Sequence, residues 1–219
     1  MSPRPRTVDD STILEAAVTV LGRIGPDRLT LADVGEEAGL SAATLVQRFG
    51  SKRDLMLSVL KFATEGFEER FDQAIRDNDS PLEAIFAAAM DRAPLAEPGA
   101  LAHLLAFYLS DLGDPDFRAL ATNNARKAVA GFQRMLDEAV AAGEITESYV
   151  DTAQLAETIY SLVMGTLLTW TVTREGNYRT RIRTELDVLL RPFRRGPRKA
   201  STPIREDAAA TLAAASPAA

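Results

Sequence analysis

Residues Leu29–Met56 read LTLADVGEEAGLSAATLVQRFGSKRDLM. Two short helical patterns meet at Gly39-Leu40-Ser41, and a third begins at Ser51. Thr30 is placed to cap the first, and Asp33 three residues on completes a capping box that satisfies orphan amides at the helix start. Leu31 and Val34 supply its apolar contacts. Gly39 can take the left-handed conformation that ends a helix without a Cβ clash. Leu40 anchors the turn, and the Ser41 hydroxyl caps the helix that follows. On that helix Leu45 and Phe49 stand four apart and share the inward face. Ala43, Thr44, Gln47 and Arg48 are left on the outward face.

A short helix with one buried edge and a tip of small residues suits the major groove of DNA. Thr and Gln reach base edges, and Ala42 and Ala43 let the backbone approach closely. From Leu40 to Arg53 there is no acidic residue, while Arg48, Lys52 and Arg53 are basic. Lys52 opens the next helix, where its charge adds to the positive end of the helix dipole to make a phosphate contact. The spacing is that of a helix-turn-helix, with Thr30, Ser41, Ala42, Ala43, Thr44, Val46, Gln47, Arg48 and Lys52 as candidate DNA-binding residues.

The segment from Ile13 to Leu60 closely resembles the DNA-binding domain of TetR-family transcriptional regulators. The resemblance rests on Ile13-Leu14-Glu15-Ala16-Ala17, Gly25, Ala38-Gly39-Leu40-Ser41, Thr44-Leu45-Val46, Phe49 and Ser51-Lys52. It covers about a quarter of the chain. The pattern departs at Val46, where the family commonly has a phosphate-touching Tyr, at Ala43, where it has Gly, and at Gly35, where it has Ala. Gly35 should cost helix stability while keeping a small packing volume.

The rest of the chain is also helical in pattern. Strand signals are weak: no NG or DG turns occur, and no sustained alternation of apolar and polar residues. Capping boxes recur at Thr7/Asp10, Thr30/Asp33, Ser51/Asp54, Ser80/Glu83 and Ser148/Asp151, and Pro81 and Pro115 suit first helical positions. Nine helices are expected, over 9–24, 31–38, 42–49, 52–77, 81–92, 99–111, 115–142, 149–174 and 178–193. The fold class is all-α: an N-terminal three-helix unit joined by a long fourth helix to a larger helical body. We expect domains at 1–54 and 55–194, and a disordered tail at 195–219, which lacks large apolar residues.

Composition narrows the chemistry. The chain has 219 residues, 46% of them hydrophobic, no Cys, one His and a net charge of −6. Disulfides and Cys-ligated zinc are excluded, and a single His makes a His-based metal site improbable. No Gly-rich phosphate loop, nucleophile elbow or metal-ligand spacing occurs, so an enzyme is not expected and neither is a cofactor. No apolar run approaches the length needed to cross a bilayer, and the start lacks a secretory apolar stretch, which suggests the cytoplasm. The net charge does not advertise nucleic-acid binding; the positive patch is local.

The family resemblance implies that the body binds a small effector and dimerises. Candidate pocket residues are Phe67, Phe86, Met90, Phe107, Met135, Tyr160 and Met164, with His103, Tyr108, Asn123, Asn124 and Arg126 as polar anchors. His103, alone in ALAHLLAFYL, reads either as a ligand anchor or as a histidine bonded to a neighbouring helix. The last two helices carry broad apolar stripes, Leu155, Ile159, Leu162, Val163, Leu167 and Trp170, then Ile182, Leu186 and Leu189. The resemblance assigns these to a twofold homodimer, which would read a palindromic operator in double-stranded DNA. Arg4 and Arg6 read either as a minor-groove arm or as a solvated terminus, and the cluster Arg191, Arg194, Arg195, Arg198 and Lys199 as a solvated tail, the favoured reading, or as a weak DNA contact. The whole is read as an effector-responsive repressor. The alternatives are a DNA-binding dimer whose body serves protein contacts alone, and a helical carrier of lipophilic molecules.

Overall fold

The computed structural model describes residues 8–90, 98–110, 112–146 and 151–194. These residues form nine α-helices: α1 (Asp10–Ile24), α2 (Leu31–Ala38), α3 (Ala42–Phe49), α4 (Lys52–Arg76), α5 (Pro81–Met90), α6 (Pro98–Ser110), α7 (Pro115–Ala141), α8 (Thr152–Thr173) and α9 (Tyr178–Leu190). A single 3-10 turn, Arg191–Phe193, follows α9. The all-helical class expected from the sequence is observed, and the bounds of α2 and α3 agree at both ends.

Three helix starts differ from expectation; α6 begins at Pro98, one residue before the expected 99. α1 is capped by Asp9, whose carboxylate accepts the Thr12 N–H at 2.8 Å. Bonds from the Thr12 amide and hydroxyl and the Ser11 hydroxyl hold the Asp9 carboxyl down at about 2. Thr7, the expected cap, lies outside the described residues, as does Ser148. α8 starts at Thr152 rather than at 149, because Asp151 itself takes the cap and accepts from the Ala153 and Gln154 amides. Arg4, Arg6, Arg195, Arg198, Lys199 and the expected tail also fall outside the described residues.

Buried apolar side chains gather in two clusters strung along α4. The first joins Ile13, Ala17 and Leu21 of α1, Val34 of α2 and Leu45 of α3 to Leu55, Val59 and Leu60 of α4. Phe107 of α6 and Phe117 of α7 complete it, their rings edge to face at 6.2 Å. The second fills the body between α4, α5, α7, α8 and α9, around Phe86, Phe132, Met135, Ile159 and Ile182. The three-helix unit is therefore seated on α6 and α7 as well as carried by α4.

α4 and α7 approach closely because position 131 has no side chain. A Cβ on Gly131 would stand 2.5 Å from the Phe71 ring, and that ring is held between Phe67 at 6.2 Å and Phe132 at 5.2 Å. Ala would favour the helix by about 1 kcal/mol, but overpacking against a pinned ring costs about 1–3 kcal/mol. Gly131→Ala is therefore expected to destabilise the fold by up to about 2 kcal/mol, read from the urea midpoint. A raised midpoint would show that the helices separate freely.

α8 requires a correction. Thr152–Thr173 is long and apolar enough, by length and composition, to cross a membrane. The expectation that no apolar run reaches bilayer length fails here, because Thr, Ser and Gly are interspersed among the apolar residues of this helix. One face of α8 lies in the body core, through Leu155, Ile159, Val163, Leu167 and Trp170. Leu168 and Val172, on another face, are 48% and 75% exposed.

Candidate nucleic-acid interface and effector cavity

The helix-turn-helix forms as its residue types dictate. Thr30 and Asp33 make the reciprocal capping box: the Thr30 amide donates to Asp33 Oδ2 at 2.8 Å and the Asp33 amide to Thr30 Oγ1 at 3.2 Å. The Thr30 hydroxyl and amide bonds lower the Asp33 carboxyl below its ordinary value. Gly39 takes φ +69°, in the left-handed region. The Leu40 amide donates back to the Gly35 carbonyl at 2.7 Å. A Cβ at position 35 would stand 2.8 Å from the Leu40 carbonyl oxygen, so Gly35 gives this tight turn its room. Ser41 caps α3, accepting the Thr44 amide at 3.2 Å.

The outer face of α3 is as the sequence placed it. Leu45 is fully buried and Phe49 packs beside it. Ser41, Ala43, Val46, Gln47 and Arg48 are exposed, and Ala42 and Thr44 are half-buried. Val46 is 50% exposed, an apolar side chain on an otherwise polar face. The Thr44 and Ser41 hydroxyls lie 2.9 Å apart.

The cations are less free than the sequence suggested. Arg48 donates to the Val8 carbonyl at 2.5 Å and pairs with Asp10, tying α3 to the start of α1. Lys52 Nζ donates to the Pro26 carbonyl at 2.7 Å, tying α4 to the loop before α2. Arg53 grips Asp114 through two bonds of 2.8 and 2.9 Å and Asp116 through one of 2.6 Å. This clamp links the start of α4 to the start of α7. Partial burial pushes the Asp114 carboxyl up, but the Arg53 guanidinium and the Asp116 and Phe117 amides outweigh it and hold the carboxyl below its ordinary value. Bonds to Asp116 and Asp114 raise Arg53 in turn. Arg28, which the sequence reading passed over, is exposed beside Thr30.

His103 takes the plainer of its two readings. Its Nδ1 lies 2.8 Å from the Gly22 carbonyl near the end of α1, an oxygen of the last turn in need of a partner. The ring also lies against Gly25, where a Cβ would stand 3.0 Å from it; at φ +83° that position also favours glycine. His103 thus holds α6 against α1.

The opposite face of α6 borders a cavity of about 230 Å³ between α4, α6, α7 and α8. Among the expected pocket residues, Phe67, Tyr108 and Met164 line it. The Tyr160 hydroxyl stands just behind, 3.4 Å from that of Tyr108. Asn124, buried, faces it, whereas Asn123 and Arg126 are exposed. The other expected residues lie elsewhere. Phe86 and Met135 are body core. Phe107 belongs to the cluster beneath the helix-turn-helix, and Met90 borders an open groove with Arg179, Arg183 and Asp187. Arg70, Leu101 and Leu105 line the cavity without having been singled out.

The residues expected at a dimer face are largely spent inside the chain. Leu155, Ile159, Val163, Leu167, Trp170, Ile182 and Leu186 are buried, and Leu162 and Leu189 pack partly against the same core. Among the described residues of α8 and α9, Leu168, Val172 and Val188 are the large apolar side chains that stay exposed. Arg191 and Arg194 both pair with Asp187.

Among the described residues no group of His, Cys, Asp or Glu is placed to hold a metal ion. The family profile of "Bacterial regulatory proteins, tetR family" matches residues 13–59. The HTH-type transcriptional regulator BetI of Brucella canis is 28% identical over 118 residues. That match takes in 52% of this chain and 59% of the relative, so the chain spans about three fifths of the length of the regulator it matches. Two solved structures share the fold. The FadR transcriptional regulator of Bacillus subtilis, solved in complex with stearoyl-CoA, aligns with TM-score 0.67 at 19% identity over 83% of this chain and 97% of its own. A TetR-family regulator from Rhodococcus aligns with TM-score 0.64 at 21% identity over 81% and 96%. The capped helix-turn-helix lies inside the segment that matches the tetR family of bacterial regulatory proteins, and the helical body behind it has the fold of these solved regulators.

Proposed function

We propose that this protein is a homodimeric transcriptional repressor, released from a palindromic operator by a small effector. The DNA-binding unit is residues 1–54, and residues 55–194 bind the effector and the second subunit. The observation that carries the reading is the outer face of α3. Thr44 and Gln47 stand on a helix start that holds no acid, flanked by Ala43, which leaves room for a groove wall. Arg48 and Lys52 brace the unit from within and add positive charge near the backbone phosphates, so base reading falls chiefly to Thr44 and Gln47.

Dimerisation follows from need and from surface. One short helix reads few base pairs, and two related by a twofold axis read a palindrome. On α8 the exposed positions Ser161, Gly165, Leu168 and Val172 recur at helical spacing, and a Cβ on Gly165 would meet nothing within 4 Å. A face of small and apolar residues permits close approach of a second helix. Effector coupling is supported by α6, which borders the cavity on one side and holds α1 through His103 on the other. The effector need not resemble stearoyl-CoA, which far exceeds this cavity.

The test is fluorescence anisotropy of the purified protein on duplexes from upstream of its own gene and then on genome-wide fragments, beside scrambled duplexes and across a salt series. A fragment bound about a thousandfold more tightly than scrambled DNA, with affinity falling as salt rises, is expected. Equal binding to every fragment would remove the regulator reading and favour the lipophile carrier.

A further inference from the structure

Val46 has no task inside the chain. It is 50% exposed, and among the described residues of α1, α2 and α3 it is the one large apolar side chain left on the surface. It belongs to neither buried cluster, whereas Leu45 before it and Phe49 after it pack into the first. A β-branched side chain also loses rotamer freedom in a helix, so local propensity does not call for valine. A lone exposed valine elsewhere would carry no message. This one stands on the outward face of α3, beside Thr44 and Gln47.

Helical geometry divides that face into two edges. Steps of about 100° per residue put Ala43 and Gln47 at its centre, with Val46 on one side and Thr44 on the other. Val46 shares its edge with Ala42 and Ala43, since helical side chains point back towards the N-terminus. Ala43 is exposed and Ala42 half-buried, so this edge is apolar and continuous. The other edge holds the Thr44 hydroxyl, 2.9 Å from that of Ser41. Arg48 is drawn aside, to the Val8 carbonyl and to Asp10.

We infer that Val46 packs on the C5 methyl of a thymine in each operator half-site, with Ala43 beside it. The major-groove edges of the bases carry hydrogen-bonding groups, and the thymine methyl is the apolar exception. Valine offers no donor, so it cannot bond a phosphate, and set against one it would strip water from the anion without replacing it. Against a methyl it removes two apolar surfaces from water in one contact. The inference rests on the DNA-binding reading above and adds the base that the apolar edge selects.

The experiment uses the full chain. Random duplexes are enriched for those it binds. In the enriched sequence each thymine is replaced in turn by deoxyuridine, which keeps base pairing and removes only the methyl. Anisotropy at fixed salt compares the unsubstituted protein, Val46→Ala and Thr44→Ala on these duplexes and on scrambled ones. Uracil at one symmetric pair of positions is expected to weaken binding about fourfold in a single half-site and about fifteenfold in both, for one buried methyl per subunit. Val46→Ala should bind the thymine duplex more weakly by at least about that factor, and should be indifferent to uracil there, since each change removes the other's partner. Thr44→Ala should keep the full response to uracil. The urea midpoint of Val46→Ala should not fall, because the side chain lies outside both clusters. The inference is overturned if no uracil position weakens binding, or if the uracil effect survives Val46→Ala or vanishes in Thr44→Ala. Equal weakening of enriched and scrambled duplexes by Val46→Ala would place the valine on the DNA backbone and overturn it too. Each of these outcomes leaves sequence-specific binding standing. A library that yields no enriched sequence removes the regulator reading and the inference together.

Discussion

Replacing Thr44 and Gln47 together with alanine is expected to lower affinity for the operator by about a hundredfold or more, because each good base-edge contact contributes about 1–3 kcal/mol of discrimination. Affinity for scrambled DNA should change little, since phosphate contacts set that term and neither side chain carries charge. Stability should hold within about 0.5 kcal/mol. Gln47 is exposed and Thr44 half-buried, and the Ser41 hydroxyl still accepts the residue-44 amide. A different result is expected one position along. Leu45 is fully buried, and Leu45→Ala should cost about 2–5 kcal/mol of stability, losing all DNA binding with the fold. Anisotropy at fixed salt beside urea denaturation separates the two signatures. If the double variant weakens operator and scrambled DNA equally, α3 is not the element that reads sequence.

The parts of this chain that were legible in the sequence are those encoded within a few residues. The bounds of α2 and the start of α3 follow from Thr30, Asp33, Gly39 and Ser41, each of which satisfies or ends its own helix turn. Asp9 rather than Thr7 caps α1; both carry a suitable oxygen, and local pattern does not rank them. The cations show the limit better. Arg48, Lys52 and Arg53 were visible as a positive stretch, but their partners were not. Asp10 lies 38 positions before Arg48, and Asp114 lies 61 after Arg53. A charge run states where charge is available, and the tertiary fold decides how much of it faces outward.

The cavity was half legible for a related reason. α6 is apolar nearly all round, so its sequence gives no contrast from which to tell one face from another. His103 and Tyr108 are five residues apart, about 140° around a helix, and they point to different neighbours: α1 for one and the cavity for the other. Asn123 and Asn124 differ by a single step of about 100°, which puts the first in solvent and the second beside the cavity. Sequence reading could name both asparagines and had no means to choose between them.

The same ambiguity governed α8, and it leads to the second large effect. Its apolar stripe is wide enough to serve the chain's own core and a partner. The sequence reading gave the partner Leu155, Ile159, Val163, Leu167 and Trp170, which the fold buries internally. The face left over carries Leu168 and Val172, beside the open position at Gly165. Placing aspartate at both 168 and 172 should leave the subunit folded, because both side chains already face water. In a twofold dimer the four new carboxylates meet across the axis. Like-charge contact in a desolvated interface costs several kcal/mol, so the dimer dissociation constant should rise about a thousandfold or more. Sedimentation should then find monomers, and operator affinity should drop towards that of scrambled DNA, because a lone recognition helix spans only a half-site. Trp170→Ala should act differently. It removes a buried ring that meets Tyr178 edge to face and donates to the Gly176 carbonyl, at about 3–5 kcal/mol of subunit stability. A double-aspartate variant that stays dimeric with full operator affinity would place the interface on another face, and the exposed apolar stripe of α8 would then need a different occupant.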